Sequence, residues 1–380
     1  MKIFDLDRNC YTKIERIQDP KTKVEQLSDA LYHYENNLFK VIYDKSQPSL
    51  DAYVKRLDNA LLNEKEMQWL FFTSGTTGTP TGVYKTKENS YQQAMTLVKT
   101  LGERAFNRVV TTVPFVHIYG IDIGGVLPYE LDIDIYVKEN FLPEELAIEV
   151  QKEGTLVVTT PIFIKALNRM KKEIRFDNTL FLTSTAPLPS KEAKVFKSHY
   201  GASVMQLFAS TETGLISYKL DDEEILQSYD IVTISQEDDK LSIDSPLVTK
   251  KIIHNGKKED VHLPFRTEDI IEIIDATHFK LLGRSSSLVK VAGKRISTVQ
   301  IETLLESLNG IESVLIRVRR DDSALKDEIL DIYVESKQAL EMKTLREALK
   351  KELGSINIPC KIHNNKRILR SSVGKKIGFE

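Results

Sequence analysis

The sequence has few of the residues that define disulfide-rich, zinc-binding or nucleic-acid-binding proteins. It contains two cysteines, Cys10 and Cys360, in 380 residues, and they stand in unrelated contexts. Two such cysteines build neither a disulfide framework nor a cysteine zinc site. The formal net charge is −2, whereas a dedicated nucleic-acid binder normally carries a strong basic excess. We therefore expect no nucleic-acid partner.

Long apolar stretches are also missing. The N-terminal residues 1–5 do not resemble a signal peptide, and no apolar run approaches the ~20 residues needed to cross a bilayer. We therefore expect a cytoplasmic protein without a membrane partner. The composition, 28% charged and 41% hydrophobic, is typical of a globular chain with two or three domains.

The first part of the chain alternates apolar runs with amphipathic segments. After helices at 24–37 and 50–63, the pattern predicts strands at 108–113, 133–137, 156–160, 180–184 and 203–208. Between them it predicts helices at 88–101, 143–152, 161–169 and 190–200. Such alternation is typical of an α/β fold with a mostly parallel sheet, which binds ligands at the carboxyl ends of its strands.

The pattern changes twice in the remainder. Strand-like pieces with acidic turns over 215–283 predict a small antiparallel subdomain. Residues 284–380 predict a small α+β unit with a hairpin around residues 287–296 and a capping box at 297–300 that starts a helix. We therefore predict domains at 1–283 and 284–380. The second carries 19 Lys/Arg and 13 Asp/Glu, a mildly basic balance that suits either an acidic partner or a solvated surface.

One stretch stands out for its chemistry. The apolar residues 69–72 predict a buried strand, and Thr73, Ser74, Gly75, Thr76, Thr77 and Gly78 follow it. Glycines and hydroxyl residues in a turn offer backbone and side-chain donors that suit a phosphate chain. A polar loop after a strand is the plainer alternative.

Other segments suggest the rest of a nucleotide site. His117, Tyr119 and Gly120 follow a predicted strand and suggest a ligand-facing loop. In the segment from Phe208 to Gly214, the carboxylate of Glu212 is suited to Mg²⁺. Asp269, which is suited to ribose hydroxyls, precedes Arg284 on the following strand, and Lys375 follows a glycine near the C-terminus.

Together these segments resemble the AMP-forming acyl- and aryl-CoA synthetase superfamily of adenylate-forming enzymes. The glycine loop, the segment 208–214, the pair Asp269 and Arg284, the segment 290–296 and the terminal Gly374-Lys375 occur in the family's order. The resemblance covers about residues 67–380 and is closest in look to short acyl-AMP ligases that load acyl carrier proteins in aryl-polyene-type pathways. It implies ATP and Mg²⁺ as cofactors, and an acyl carrier protein in preference to CoA as acceptor.

The resemblance also implies roles for individual residues. Thr73 to Gly78 would bind the β- and γ-phosphates, Phe208 would stack on adenine, and Thr185, Ala186 and Pro187 would border it. Thr211 would contact the α-phosphate, Glu212 the Mg²⁺, and Asp269 and Arg284 the ribose. His117, Tyr119, Gly120 and Ser184 would line the acyl pocket. Lys375 would bridge carboxylate and α-phosphate, and after rotation of the C-terminal domain Gly293 would lie beside the pantetheine thiol.

The sequence departs from the family at three places. Thr81 stands where a lysine is usual, which predicts a weaker hold on pyrophosphate unless Lys85 substitutes. Ser286 stands at the hinge, where Asp or Lys is common. Only 72 residues precede Thr73, so we expect a truncated N-terminal domain and consider a homodimer that covers the exposed sheet.

We therefore predict a ligase that activates a small aromatic or short acyl carboxylic acid as acyl-AMP and passes it to a phosphopantetheine thiol. His117 and Tyr119 favour a compact aromatic acid. An adenylate-binding or carrier-docking relative without full turnover is the alternative. A P-loop kinase is disfavoured because the glycine loop lacks the Gly-Lys-Ser/Thr ending.

Overall fold

The computed structural model describes two compact units. Its description leaves out residues 16–26, 28–40, 46, 63–68, 74–79, 139, 153, 171–173, 292–293, 321–327, 354–358, 372–373 and 375. The first unit comprises residues 1–235, 242–265 and 274–278, and the second comprises residues 236–241, 266–273 and 279–380.

The strands fall into two groups along the chain. Those up to residue 228 are β1 (Lys2–Asp5), β2 (Cys10–Lys13), β3 (Val41–Ile42), β4 (Trp69–Thr73), β5 (Thr81–Lys85), β6 (Arg108–Thr111), β7 (Asp134–Val137), β8 (Thr155–Thr159), β9 (Leu180–Thr183), β10 (Ser203–Ser210), β11 (Gly214–Leu220) and β12 (Ile225–Ser228). Those that follow are β13 (Thr233–Glu237), β14 (Lys240–Asp244), β15 (Lys251–His254), β16 (Lys257–Asp260), β17 (Phe265–Ile273), β18 (His278–Arg284), β19 (Leu288–Val291), β20 (Lys294–Ser297), β21 (Ile311–Arg320), β22 (Glu328–Ser336), β23 (Cys360–His363), β24 (Ile368–Arg370) and β25 (Lys376–Phe379).

The described helices lie mainly between strands of the first unit. They are Pro48–Val54, Asn59–Leu62, Lys87–Leu101, Ile118–Ile121, Leu127–Leu131, Pro143–Glu149, Pro161–Arg169, Ser190–Tyr200, Thr298–Glu306 and Met342–Leu353, with a π-helix at Asp122–Val126 and a 3₁₀ turn at Ser285–Ser287. Within the described part of the chain, none is long and apolar enough to cross a membrane.

The large sheet of the first unit has the strand order β12-β11-β10-β9-β8-β6-β7-β1-β2. The six strands from β10 to β1 are parallel to their neighbours, and the outer pairings are antiparallel. Buried strands of this kind read as continuous apolar runs. The predicted α/β fold class with a mostly parallel sheet is therefore confirmed.

The N-terminal residues belong to this sheet, although we predicted only helices before residue 67. β1 lies parallel to β7, and β2 forms the edge. The predicted helix at 24–37 lies outside the described residues, apart from Leu27. The one predicted at 50–63 is two short helices, because residues 55–58 form a turn.

Helices cover one face of the large sheet with apolar side chains. Pro143–Glu149, Pro161–Arg169 and Ser190–Tyr200 pack buried residues against strand residues such as Val157 and Phe181. A second sheet of the first unit has the order β16-β15-β5-β4-β3. It carries the strands on both sides of the glycine loop.

The second unit contains smaller sheets, mostly antiparallel. In β21-β22-β23, one face packs residues such as Val314 and Ile332 on Ile301 and Leu345 of its two helices. The helix from Thr298 begins where we predicted, with Ser297 as N-cap. The predicted capping box is wrong, because the Ser297 side chain makes no cap hydrogen bond.

Candidate active site

The glycine loop connects two antiparallel strands. Thr73 ends β4 and lies opposite Thr81, which begins β5. The predicted buried strand at 69–72 is confirmed, since each of its residues is at most 5% exposed. Ser74, Gly75, Thr76, Thr77 and Gly78 lie outside the described residues, so their phosphate contacts stay a prediction.

Lys85 lies at the other end of β5, inside the protein. Its side chain is 0% exposed, and its ammonium donates hydrogen bonds to the backbone oxygens of Leu247 at 2.7 Å and Glu212 at 3.3 Å. Burial lowers the pKa of Lys85 to about 8, although Asp122 and Glu212 favour its charge. The idea that Lys85 replaces a phosphate-binding lysine at Thr81 is therefore wrong for this structure, because its charge is used internally.

The turn at residues 211–213, which we call the Glu212 turn, joins β10 to β11. Their pairing ends at Ser210 opposite Gly214, so the ladder does not hold the turn itself. The backbone oxygen of Glu212 accepts a hydrogen bond from Lys85 and another from the backbone N–H of Thr249, at 2.8 Å. Its carboxylate has no hydrogen bond or ion pair to any residue in the described part of the chain. The backbone is thus fixed while the carboxylate is available.

The strand that leaves the turn is held by Gln93, from the helix Lys87–Leu101. Its Oε1 accepts a hydrogen bond from the backbone N–H of Leu215 at 3.1 Å, and its Nε2 donates to Asp122 Oδ2 at 2.5 Å. Burial raises the pKa of Asp122 to about 7. Gly214 has φ +72, and a Cβ there would lie 3.0 Å from Gln93 Oε1. A side chain at Gly214 would therefore disturb this bond.

A second loop lies at the carboxyl end of β9, beside β10. Ser184 Oγ donates to the backbone oxygen of Leu207 at 2.9 Å, which ties this loop to the strand that carries Phe208. Thr185 has φ +77, a rare conformation for a β-branched residue. Its hydroxyl is buried and has no hydrogen-bond partner within the described residues. Backbone strain and an unsatisfied donor are typical of ligand sites.

The segment after His117 is helical, so the loop predicted at Tyr119 and Gly120 is wrong. His117 is the N-cap of Ile118–Ile121, and the chain continues as a helix to Leu131. Burial lowers the pKa of His117 to about 4, against the opposing charge of Asp44, so the imidazole is neutral near pH 7.

Tyr119 and Gly120 have structural contacts in this segment. The Tyr119 hydroxyl lies 2.9 Å from the Leu182 oxygen and 3.2 Å from the Thr159 oxygen, so it joins two strand ends. A Cβ on Gly120 would lie 2.3 Å from the Pro114 oxygen, so close packing requires a glycine here. These contacts give both residues a structural role, and their place in the acyl pocket stays a prediction.

In the second unit, Asp269 and Arg284 are cross-strand partners on β17 and β18. Arg284 Nε lies 3.4 Å from Asp269 Oδ1, and the side chains are 42% and 14% exposed, respectively. The neighbouring Glu268 binds Lys240 through both oxygens and also accepts a hydrogen bond from Ser285, next to the predicted hinge. The predicted ribose pair is thus close together.

The predicted catalytic Lys375 and the predicted thiol-facing Gly293 lie outside the described residues. The next residue, Lys376, is firmly anchored. Its ammonium lies 2.7 Å from carboxylate oxygens of both Glu302 and Glu306, which belong to one helix. The chain beside Lys375 is therefore fixed to the core of the second unit.

The residues present suit ATP with Mg²⁺ better than a metal bound by protein alone. The described residues contain no cluster of three metal-ligating side chains. Mg²⁺ in nucleotide sites is normally held by one or two carboxylates, phosphate oxygens and water. The available Glu212 carboxylate fits that arrangement.

The fold and these sites define an adenylate-forming enzyme. The family model described as AMP-binding enzyme matches residues 7–237, well over half of the chain. The chain belongs to the AMP-binding enzyme family. The match begins at residue 7, so the edge strand β2, to which our sequence reasoning gave no role, is part of the family region.

Curated relatives are ligases of modest identity. A 2-succinylbenzoate–CoA ligase of Listeria monocytogenes is 23% identical over 319 residues, which cover 80% of this chain and 68% of that protein. A putative long chain fatty acid-CoA ligase of Staphylococcus epidermidis is 22% identical, with the same coverage. Together with the family, these names confirm the prediction of an AMP-forming acid–thiol ligase.

Solved structures share the fold. The o-succinylbenzoate CoA synthetase of Bacillus subtilis, in complex with its acyl-adenylate intermediate, has a TM-score of 0.72 and 18% identity, covering 93% of this chain and 80% of that one. ATP-bound MatB from Rhodopseudomonas palustris has a TM-score of 0.68 and 16% identity, covering 83% and 67%. The fold predicted from the motifs is confirmed.

Sequence reasoning missed the buried partners of the Glu212 turn. Gln93, Asp122 and Thr249 lie far from Glu212 along the chain, and each has an ordinary sequence context. The one available signal was Lys85, a charged residue at the end of an apolar strand, which we assigned to phosphate.

Proposed function

We propose that this chain activates a small carboxylic acid with ATP, forms acyl-AMP and pyrophosphate, and transfers the acyl group to a phosphopantetheine thiol. The Glu212 turn carries this proposal. It presents an available carboxylate on a fixed backbone, in continuation of the strand that carries Phe208. The unsatisfied hydroxyl of Thr185 lies on the adjoining loop.

Most of the predicted residues would have a role in this reaction; Lys85 and Tyr119 are given none. Thr73 and Ser74 to Gly78 would hold the phosphates, with Thr211 at the α-phosphate. Phe208, with Thr185, Ala186 and Pro187, would hold adenine, and Asp269 with Arg284 the ribose. Glu212 would hold Mg²⁺, which neutralises phosphate charge when bound.

The chemistry requires two anions to meet. A carboxylate oxygen attacks the α-phosphorus of ATP, and the bond to pyrophosphate breaks. Such phosphoryl-group chemistry depends on positioning and on charge stabilisation. Lys375 would supply the positive charge between carboxylate and α-phosphate. The thiol then attacks the acyl carbon, and AMP leaves with the bridging oxygen.

We propose an aromatic acid as substrate, with 2-succinylbenzoate as the first to test. Several relatives are named 2-succinylbenzoate–CoA ligases. A neutral imidazole at His117 would accept or donate one hydrogen bond without placing a charge beside an apolar ring. Ser184 and Gly120 would border the same pocket.

We propose CoA as the first acceptor to test, since the relatives are named CoA ligases. The basic balance of residues 284–380 is the argument for an acyl carrier protein, our sequence-based preference. We propose residues 284–380 as the lid that carries Lys375 and Gly293, and residues 1–283 as the ATP and carboxylate domain. A homodimer stays a prediction for light scattering to test.

Carboxylate-dependent exchange of labelled pyrophosphate into ATP tests the first step. We expect exchange with at least one aromatic acid, and a hundredfold or greater loss in Lys375→Ala, because one stabilising charge is typically worth 10²–10³ in rate. Lys361→Ala, an exposed lysine in the same unit, is the matched control.

The acceptor follows from parallel thioester assays with CoA and with an acyl carrier protein. Nucleotide binding without exchange for any acid in a broad panel would indicate the non-catalytic alternative. Unchanged exchange in Lys375→Ala would contradict the role given to that lysine.

A further inference from the structure

Three buried polar side chains surround the Glu212 turn. Lys85, Asp122 and Gln93 are 0%, 1% and 4% exposed, and they come from a strand, a π-helix and an α-helix. Buried polar groups cost free energy unless their hydrogen bonds are made, so they are uncommon in a core without a reason. We call these three residues the Lys85 network.

The network contacts the backbone at Glu212 and at Leu215, the second residue of β11. Lys85 donates to the Glu212 oxygen, and Gln93 accepts from the Leu215 N–H. Gln93 also donates to Asp122, whose charge acts on Lys85. The strand ladder ends at Ser210 opposite Gly214, and within the turn the Thr213 N–H donates to Ser210 Oγ. Lys85 adds a hydrogen bond to the turn, and Gln93 adds one to the start of the strand that follows.

The same network includes the last residue of the strand that follows the glycine loop. Lys85 ends β5, the strand that leaves this loop, and it also binds the Leu247 oxygen. The next residues along that segment contact both elements: the Thr249 N–H binds the Glu212 oxygen, and its hydroxyl donates to the Tyr84 oxygen. The strand after the loop and the turn that carries Glu212 are therefore fixed to one another.

We propose that Gln93, Asp122 and Lys85 are positioning residues that fix the Glu212 turn for Mg²⁺–ATP. The inference rests on the proposed role of Glu212 in binding Mg²⁺–ATP. The hydrogen bonds that Lys85 and Gln93 make to residues 212 and 215 go to the backbone, so the network acts on the placement of the Glu212 carboxylate.

Gln93→Leu is the informative variant because it removes both hydrogen bonds and keeps most of the volume. Gln92→Leu is the matched control, since Gln92 lies next to it on the same helix, is exposed and binds only Glu88 within that helix. In hydrogen exchange of the full-length protein without ligand, we expect the Leu215 amide to exchange at least tenfold faster in Gln93→Leu. The control should match the unsubstituted protein.

Kinetics and calorimetry distinguish positioning from packing. We expect Gln93→Leu to weaken Mg²⁺–ATP binding and to raise the Mg²⁺ concentration for half-maximal rate about tenfold, with the KM for the acid within twofold. Lower thermal stability with unchanged exchange at 211–215 and unchanged Mg²⁺–ATP binding would overturn the proposal. If Gln93→Leu does not fold, Asp122→Asn keeps the shape and should change the same readouts in the same direction.

The two proposals fail in different ways. The proposed function would be contradicted if the unsubstituted protein neither bound Mg²⁺–ATP nor exchanged labelled pyrophosphate into ATP. The amide exchange of the ligand-free protein would still decide whether the network fixes the turn.

Discussion

The two units hold their proposed nucleotide-binding groups differently. In the first unit, the Glu212 turn is fixed through its backbone by the buried Lys85 network, and its carboxylate has no partner among the described residues. In the second unit, Asp269 and Arg284 pair with each other on neighbouring strands, and Arg284 is substantially exposed.

Because of this difference, we expect substitutions to change stability and ligand binding together in the first unit and separately in the second. Disturbing a buried charge removes compensation from another buried charge, so stability and binding change together. Disturbing a partly exposed ion pair such as Asp269–Arg284 changes stability less, because water replaces part of the lost interaction. Substitutions in the first unit should therefore affect folding more than those in the second.

The largest expected effect is that of Lys85→Met. It leaves Asp122 buried without its nearby positive charge. It also removes the ammonium donor to the Leu247 oxygen and one of the two donors to the Glu212 oxygen. We expect the free energy of unfolding to fall by about 3 kcal/mol, the order expected when a buried charged donor is removed and an acceptor is left unsatisfied. Denaturant unfolding measures this change.

Lys99→Met is the control for Lys85→Met. Lys99 pairs with Asp230 on the surface, and both side chains are 74% exposed. We expect a change within about 1 kcal/mol. Equal losses in the two variants would remove the distinction between buried and exposed charges.

The next effect is a pH dependence from His117. Its folded-state pKa of about 4 lies below the ordinary value of 6.5. Between these pH values the imidazole is protonated in the unfolded chain but neutral in the folded protein. The contribution of His117 to the free energy of unfolding is therefore complete above pH 6.5 and is lost as the pH falls towards 4. When the pH is lowered from 6.5 to 5, the free energy of unfolding should decrease in both proteins. The decrease should be smaller in His117→Gln than in the unsubstituted protein, by up to about 2 kcal/mol. Identical pH profiles would contradict burial of a neutral imidazole.

The smallest effect on stability is that of Asp269→Asn in the second unit. We expect less than about 1 kcal/mol of destabilisation and about a tenfold rise in the KM for ATP, through loss of a charged acceptor for the ribose. Asp238→Asn, which removes an exposed carboxylate paired with Arg266, should leave the KM unchanged. A large loss of stability in Asp269→Asn would contradict the expected difference in stability effects between the two units.

Local sequence signals predicted much of the first unit. The helices at Pro161–Arg169 and Ser190–Tyr200 occur at the predicted bounds, since each has helical periodicity and a start signal such as Pro161 at its first turn. The strands of the parallel sheet are also close to prediction, because fully buried strands have continuous apolar runs.

Pairings between distant segments were not predictable in this way. β1 finds β7 across about 130 residues, and β15 pairs with β5 across about 170. Neither β1 nor β15 has a residue pattern that predicts which strand it pairs with. The Lys85 network has the same limitation: the Gln93–Leu215 bond spans 122 residues, and only the folded sheet brings them together.

The motif at 208–214 identified Glu212 as a candidate ligand. It does not specify which distant residues bond the backbone at Glu212. His117 shows the converse, since its position after a strand was predicted while the following helix was not. Gly124 and Gly125 favoured a loop by propensity, but burial against the sheet stabilises a helix over 118–131.

The most direct test of the proposed reaction follows one oxygen atom. The acid is supplied with ¹⁸O in its carboxylate, together with ATP, Mg²⁺ and CoA, and the products are analysed by mass spectrometry. Attack on the α-phosphorus followed by thiol transfer predicts one ¹⁸O in AMP and none in pyrophosphate. Formation of ADP with ¹⁸O in inorganic phosphate, or unlabelled AMP, would contradict an acyl-adenylate mechanism.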